Sequence, residues 1–289
     1  MLTTISLSDS LPLTCSRAGT CCHGNLVRLN PWELARLAHE KQLSSLDFRA
    51  QFTDAGGAIL RFKGPKNNFE KQACGLYVAE LGCTVHPARP LACRLFPLGR
   101  MIQNETVEYM HQGSTFPCLN ECPEVLELPQ FTVADYLKGQ ATADFENAQD
   151  AYLEMMQNLA DVALTLLLET SLLQHQEYQT LATWKQLGKA TPDYLSKTIG
   201  EEWMQRLMLP NLTVDPLDSG AFIQNHNEYL MQEVQVLCDQ LSTIQEMFEA
   251  ANLLMALALY LAHALGADAS GLSEWWIQIA KENGAEALF

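Results

Sequence analysis

Positive charge is scarce in this chain of 289 residues. Lysine and arginine together number 18 against 34 aspartates and glutamates, which gives a formal net charge of −16. Residues 1–125 carry 12 basic and 11 acidic residues, whereas residues 126–289 carry 6 and 23. Because nucleic-acid binding needs a basic footprint, neither half fits that class of partner. The acidic second half predicts either a solvated surface that keeps the protein soluble or a docking face for a protein partner.

The chain also lacks the hydrophobic segments of exported and membrane proteins. Residues 1–10 contain neither a basic segment nor a long apolar run, so we expect no signal peptide. The most apolar stretch, Leu253 to Leu265, is shorter than the roughly 20 residues of a membrane-spanning helix, and therefore predicts a buried helix. These features indicate a cytoplasmic protein with no membrane partner.

Repeats, low-complexity tracts and a convincing nucleotide-binding loop are missing as well. Only Asp54-Ala55-Gly56-Gly57 approaches a glycine-rich loop, and this pattern is more typical of a turn. Hydrophobic residues make up 48% of the chain and charged residues 18%, which predicts a packed globular protein.

Cysteine, in contrast, is abundant and concentrated in one region. In a reducing compartment, thiols at such density usually persist because a metal holds them as thiolates, and eight thiolates suffice for two four-cysteine sites. Cys238, the ninth cysteine, falls on a predicted helix and is expected in the core. The predicted metal ligands are Cys15, Cys21, Cys22, Cys74, Cys83, Cys93, Cys118 and Cys122.

The spacing of these cysteines favours an iron–sulfur cluster over zinc. Structural zinc sites are usually built from pairs of Cys-x2–4-Cys knuckles, and only Cys118 and Cys122 have that spacing. Clusters accept irregular spacing, because their ligands bind separate iron corners. We therefore predict an iron–sulfur cluster of the 4Fe–4S type. Two alternatives remain: a zinc site, or cysteines that are inert buried thiols or disulfides. His23 and His86 are additional candidate metal donors.

Three arginines, Arg89, Arg94 and Arg100, surround Cys93 in the sequence. Either the three arginines stabilise thiolates or a bound anion, or Arg89 and Arg94 pair with nearby carboxylates and hold the loop together. The structural role is the favoured interpretation, since ion pairs of this kind are common.

The composition changes between Pro123 and Gln130, which divides the chain into two predicted domains. Residues 10–125 are predicted to form a small irregular cysteine-rich metal-binding domain that folds only with its metal. Residues 130–289 are predicted to form an antiparallel helical bundle, so the fold class is mainly α.

Several helices are indicated by local signals. Asn30-Pro31-Trp32-Glu33 is a helix start that predicts a helix to about Lys41. Further helices are predicted over Leu46–Thr53, Leu91–Phe96, Phe145–Leu173, Tyr178–Leu187 and Pro192–Met208. A heptad stripe predicts one long helix through Leu230, Val234, Leu237, Leu241, Ile244, Phe248, Ala251 and Met255.

The cysteine motifs resemble those of a known family. Three motifs carry the resemblance: Cys15-x5-Cys21-Cys22 before a helix, Cys74-Gly75-Leu76-Tyr77 with Cys83-Thr84-Val85-His86, and Arg89-Pro90-Leu91-Ala92-Cys93-Arg94-Leu95-Phe96-Pro97. In this order, over roughly residues 12–125, they resemble the YkgJ-type cysteine-cluster family of zinc- or iron-chelating domains. The resemblance implies metal chelation. It departs from the family at Ala18, where a second cysteine is expected, and at His86, where a tyrosine is usual.

The missing cysteine at position 18 leaves two possibilities. Cys118 and Cys122 supply replacement ligands, or one site keeps three thiolates and an open coordination position. Flagellin lysine N-methylases carry a distantly similar cysteine pattern, which implies an enzyme as one alternative. Three functions follow: an iron–sulfur protein in redox or cofactor support of a protein partner, a protein lysine N-methylase-like enzyme, and a zinc-stapled interaction module.

Overall fold

The structure, a computed structural model, describes residues 2–11, 19, 22–67, 70–103, 106–112, 129–169 and 174–285. Its described elements confirm a mainly α fold in which a strand-containing N-terminal region precedes the long helices. Contacts within the chain divide it into two compact units. The first unit comprises Met1–Val27 and Leu60–Asn147, and the second comprises Arg28–Ile59 and Ala148–Phe289.

The first unit is built from short elements. Its described strands and helices are β1 (Leu2–Ile5), β2 (Ser10–Leu11), β5 (Phe62–Lys66), β6 (Gln72–Cys74), β7 (Tyr77–Val78), β8 (Gly82–Cys83), α3 (Leu91–Leu95), β9 (Gly99–Gln103), β10 (Thr106–Gln112), β11 (Phe131–Thr132) and α4 (Val133–Gly139). β1, β10 and β9 form an antiparallel sheet in that order, while β5 pairs with β6, β7 with β8 and β11 with β2. The sheet of β1, β10 and β9 was not predicted from the sequence.

The second unit holds most of the helices. Its elements are α1 (Pro31–Glu40), α2 (Ser45–Phe52), β3 (Thr53–Asp54), β4 (Ile59–Leu60, at the boundary), α5 (Ala143–Glu169, mostly in this unit), α6 (Gln174–Gly188), α7 (Pro192–Ile199), α8 (Glu201–Met208), α9 (Ser219–Asp239), α10 (Ile244–Leu265) and α11 (Ala269–Glu282). α10 is the core helix of this unit, since it packs against α6, α7 and α11.

The predicted start of α1 is confirmed. Asn30 caps the helix by accepting a hydrogen bond of 2.9 Å from the Glu33 N–H, and the Glu33 carboxylate accepts one of 3.0 Å from the Asn30 N–H. This reciprocal capping box satisfies two backbone donors that a helix start leaves unpaired. The indole of Trp32 donates to the Pro216 carbonyl at 2.8 Å, which joins α1 to the segment before α9 within the second unit.

The heptad stripe does not form one long helix, so that prediction is wrong. α9 ends at Asp239 and α10 starts at Ile244. Thr243 and Glu246 form a second capping box, which starts a new helix inside the apolar pattern. Along the stripe, Leu230 and Phe248 are buried, whereas Ile244 is 38% exposed. A local start signal therefore outweighs the periodicity.

Two further expectations change. The helix predicted over Pro192–Met208 is two helices, because Gly200 between them has φ 84°, ψ 157°, a conformation that favours glycine.

The expectation that the apolar stretch is too short to span a membrane is wrong in length: α10 has 22 residues and is long and apolar enough. However, 78% of the apolar 18-residue stretch within α10 is buried inside the protein, as in a core helix.

The division into domains at residues 10–125 and 130–289 stays a prediction about folding units. By contacts, the chain enters the second unit at Arg28, leaves it at Leu60 and returns at Ala148. Residues 121–128, next to the predicted boundary, lie outside the described residues.

Candidate metal centre

Two of the predicted ligands lie on segments that a single β-bridge brings together. His23 forms an isolated antiparallel bridge with Ala73, and the Gly24 N–H donates to the Gln72 carbonyl at 2.9 Å. The residue before His23 is Cys22, and the residue after Ala73 is Cys74 on β6. The bridge therefore brings the segment of Cys22 beside the strand that carries Cys74. Cys74 is buried and Cys22 is partly exposed.

Gly19, three residues before Cys22, packs closely on an aromatic ring. A Cβ atom at Gly19, which has φ 83°, would lie 2.7 Å from the Tyr77 ring, so only glycine fits this position without a shift. The ring of His23 meets Tyr77 edge-on, with ring centroids 4.9 Å apart. Tyr77 pairs with Cys83 across the β7–β8 hairpin. One tyrosine therefore joins the Cys22 segment to the Cys83 hairpin.

The orientation of His23 follows from its backbone contact. Nδ1 lies 2.8 Å from the Gly19 carbonyl, and since a carbonyl oxygen only accepts, Nδ1 carries the proton. The lone pair is then on Nε2. A histidine fixed in this way by a backbone carbonyl has the orientation seen in metal-ligating histidines, so His23 remains a candidate donor.

Cys93 lies on the short helix α3. Pro90 precedes the helix, and the Cys93 N–H donates to the Pro90 carbonyl at 3.0 Å. Cys93 and Phe96 line a small cavity of about 110 Å³ together with residues 25–27. Cys93 therefore faces the stretch of chain that directly follows Cys22 and His23.

Arg94 holds this cysteine loop in place, which confirms a structural role for it. Its guanidinium donates to the carbonyls of Arg89 at 2.9 Å, Pro87 at 2.6 Å and Gln140 at 2.6 Å. It also lies 3.9 Å from the centroid of the Phe145 ring, within the range of a cation–π interaction. A buried arginine requires such partners, because its charge is costly to desolvate. The predicted pairing with carboxylates stays a prediction.

Tyr136 on α4 supports the same loop from the other side. Its hydroxyl lies 3.0 Å from the Arg94 carbonyl and 2.7 Å from the Phe96 carbonyl, to which it donates. Tyr136, Gln140 and Phe145 were not recognised from the sequence as residues of this site. The only available signal was the preference of a buried tyrosine hydroxyl for a hydrogen-bond partner.

Arg89 and Arg100 have different surroundings. Arg89 is buried and contacts the His86 ring and the Gln140 side-chain oxygen. Arg100 lies on β9 opposite Tyr109 of β10.

The remaining predicted ligands, Cys15, Cys21, Cys118 and Cys122, lie outside the described residues, as does Ala18. Among the residues that the structure describes, no three cysteine, histidine or acidic side chains are close enough to hold a metal ion. The complete ligand set therefore stays a prediction. The described cysteines have the ligand chemistry that a soft metal requires, since sulfur is the ligand that zinc and iron–sulfur clusters prefer.

Cys238 lies in the second unit, apart in sequence from the cysteine-rich segment. It is partly exposed near the end of α9, so the expectation of a core position is wrong. Partial burial, with Asp239 and Glu169 nearby, raises the pKa of its thiol. A thiol that resists ionisation is a poor metal ligand.

Comparison with protein families identifies the cysteine-rich segment. Residues 14–113 match the model of the CxxCxxCC family, described as "Putative zinc- or iron-chelating domain". The resemblance to the YkgJ-type cysteine-cluster family is thereby confirmed for about a third of the chain, and the match indicates zinc or iron binding. It stops before Cys118, Cys122 and Tyr136. Neither the curated proteins nor the solved structures contain a match to this chain.

Proposed function

We propose that the cysteine-rich segment binds an iron–sulfur cluster of the 4Fe–4S type and uses it in redox chemistry or cofactor support of a protein partner. The observation that carries this proposal is the bridge between His23 and Ala73, which brings the segments of Cys22 and Cys74 together inside the matched segment. A cluster at these thiolates would supply a one-electron redox centre.

The cysteine spacing favours iron–sulfur over zinc. Cys74, Cys83 and Cys93 lie on three different elements, a strand, a hairpin and a short helix. Paired zinc knuckles would instead bring two ligands from one turn. The remaining ligands of the proposal are Cys15, Cys21, Cys22, Cys118 and Cys122.

The acidic second half is proposed to recognise the protein partner. Its surface includes two large exposed aromatic side chains, Tyr194 at 59% and Trp275 at 52% exposure. Aromatic residues are enriched in the centres of protein interfaces, and the acidic surroundings favour a basic partner. A cytoplasmic location is proposed with it, because reduced thiolates persist in that compartment.

The test is elemental analysis of the full chain, purified without oxygen, for iron, zinc and acid-labile sulfide. Iron and sulfide in equal amounts, with visible absorption from thiolate-to-iron charge transfer, is the expected result. Zinc without sulfide would overturn the cluster and favour a zinc-stapled interaction module. Calorimetric binding of S-adenosylmethionine to the iron-loaded protein would instead favour a lysine N-methylase-like enzyme.

A further inference from the structure

A cleft of about 540 Å³ lies in the first unit, on one face of the β1–β10–β9 sheet. Its walls come from this sheet, from α4 and from the start of α5. Its lining includes the apolar or aromatic side chains Ile5, Val107, Tyr109 and Leu137 and the charged side chains Arg100 and Glu146. The volume falls within the range of small-molecule sites, roughly 300–1,000 Å³. Among the described residues that line it there is no cysteine.

The sheet register explains why polar groups meet in this cleft. Ile5 lies opposite Tyr109, and Tyr109 lies opposite Arg100, so the three side chains form one row on one face. The Tyr109 hydroxyl donates to Glu146 at 2.9 Å, and Arg100 lies in the cross-strand position next to Tyr109. Burial, reinforced by Glu146, raises the pKa of Tyr109 to about 12, so the hydroxyl keeps its proton near neutral pH.

The cleft therefore presents two opposite charges on either side of a single hydroxyl. Glu146 accepts from this hydroxyl and Arg100 is its cross-strand neighbour, so both charges line the same part of the cleft. Apolar side chains, among them Ile5, Val107 and Leu137, form the rest of the wall. Val107 is 41% exposed, which leaves apolar surface for a ligand to cover.

We propose that this cleft binds an α-amino acid with an apolar side chain. Its carboxylate would pair with Arg100 and its ammonium group with Glu146. An α-amino acid carries these two groups on one carbon, which suits the short separation of the charges. Its side chain would cover Val107 and Leu137. This site goes beyond the proposed function and does not depend on the identity of the metal.

The test is isothermal titration calorimetry of the full metal-loaded chain with L-leucine. We expect saturable binding with a Kd between roughly 10 μM and 1 mM, as the small size of the ligand allows. N-acetyl-L-leucine lacks the ammonium group and L-leucinamide lacks the carboxylate. Each should bind at least about tenfold more weakly, because one charge of the cleft then loses its partner.

Matched variants locate the binding site. Arg100→Gln and Glu146→Gln should each weaken L-leucine binding by about tenfold or more. Lys63→Gln and Glu80→Gln remove the same charges from exposed positions in the same unit and should leave the binding unchanged. Circular dichroism shows whether the variants remain folded, and the ligand series on the unmodified protein tests the proposal without them.

No saturable binding of L-leucine up to about 10 mM would overturn the proposal, since that limit corresponds to less than about 3 kcal/mol of binding free energy. Equal binding of N-acetyl-L-leucine would also overturn it, because the site would then be a simple anion site. Equal binding of L-leucinamide would do the same in favour of a cation site.

Discussion

In the second unit α10 is buried along most of its 22 residues. In the described part of the first unit, the helices that lie wholly within it are α3 and α4, which have five and seven residues. Helices this short are unstable alone, since helix formation has a costly nucleus. The first unit uses other means: Arg94 binds three carbonyls and Tyr136 donates to another. The comparison shows that one chain stabilises one region by apolar burial and the other by specific polar contacts and, as proposed, by metal.

The largest expected effect comes from removing metal ligands in the first unit. Cys74→Ser and Cys93→Ser should each lose bound metal and lower solubility, because metal binding there contributes folding free energy, on the order of 10 kcal/mol for structural zinc. Elemental analysis of the purified variants gives the metal content. Cys238→Ser is the control and should keep both metal and solubility. Full metal retention in Cys74→Ser and in Cys93→Ser would show that neither residue is a ligand.

A core truncation in the second unit should act on helix stability and not on metal. Leu257 on α10 is fully buried, so Leu257→Ala should lower the free energy of unfolding by about 2–5 kcal/mol through lost burial and a cavity. Urea denaturation followed by far-UV circular dichroism measures the change. Val236→Ala, at an exposed position of α9, should change stability by less than about 0.5 kcal/mol. A Leu257→Ala protein that loses its metal under native conditions would contradict the separation of the two stabilising mechanisms.

The second unit should also lose stability in mild acid through His226. This residue is fully buried; its Nε2–H donates to the Arg206 carbonyl at 3.1 Å, and its Nδ1 accepts from Tyr152 at 2.9 Å. Burial lowers its pKa from 6.5 to about 4, so between these values the unfolded chain binds a proton that the folded chain does not. The contribution of neutral His226 to the free energy of unfolding is fully present above pH 6.5. It declines as the pH falls toward 4, by on the order of 3 kcal/mol in total.

Urea denaturation of the wild type and of His226→Asn between pH 7 and about pH 4 tests this. The variant should be less stable at pH 7 but should show a shallower decline with acid. Parallel declines in the two proteins would mean that other groups cause the acid sensitivity.

The smallest expected effect sharpens the comparison within the first unit. Arg94→Ala should lower the stability of the cysteine loop by about 2 kcal/mol, because three carbonyls lose their donor and Phe145 loses its cation. The urea concentration at which metal is released should fall, while the helical transition stays in place. Arg94→Lys should recover only part, since an ammonium group cannot match the planar fork of arginine. Metal release unchanged in Arg94→Ala would remove this residue from the framework of the site.

Much of the second unit could be predicted from local sequence. The Asn30 and Glu33 pair gives the start of α1, and the apolar run before Leu265 gives a buried helix. The heptad stripe runs across the break at Thr243, although the capping box that starts α10 there is also a local signal. Periodicity records which face is apolar, but it does not show where the backbone leaves the helix.

For the candidate site, the cysteines and their motif were evident, whereas their neighbours were not. Arg94 was recognised as structural, yet its partners Gln140 and Phe145 lie more than forty residues further along the chain. The row formed by Ile5, Tyr109 and Arg100 likewise depends on the β1–β10–β9 sheet. The sequence of these strands shows no strong alternation of apolar and polar residues that would predict the sheet. Contacts between distant segments leave no spacing pattern that one sequence can reveal.

The sequence by itself determined the mainly α fold, the capping of α1 and the cysteine motif that matches a zinc- or iron-chelating family. These features rest on residue types and on short-range spacing, which a chain carries before it folds. The tertiary structure decided that the segments of Cys22 and Cys74 lie side by side, that Arg94 holds the Cys93 loop, and that Arg100 and Glu146 meet at Tyr109. Strand register and packing bring these residues together, because they join segments that are far apart in the chain.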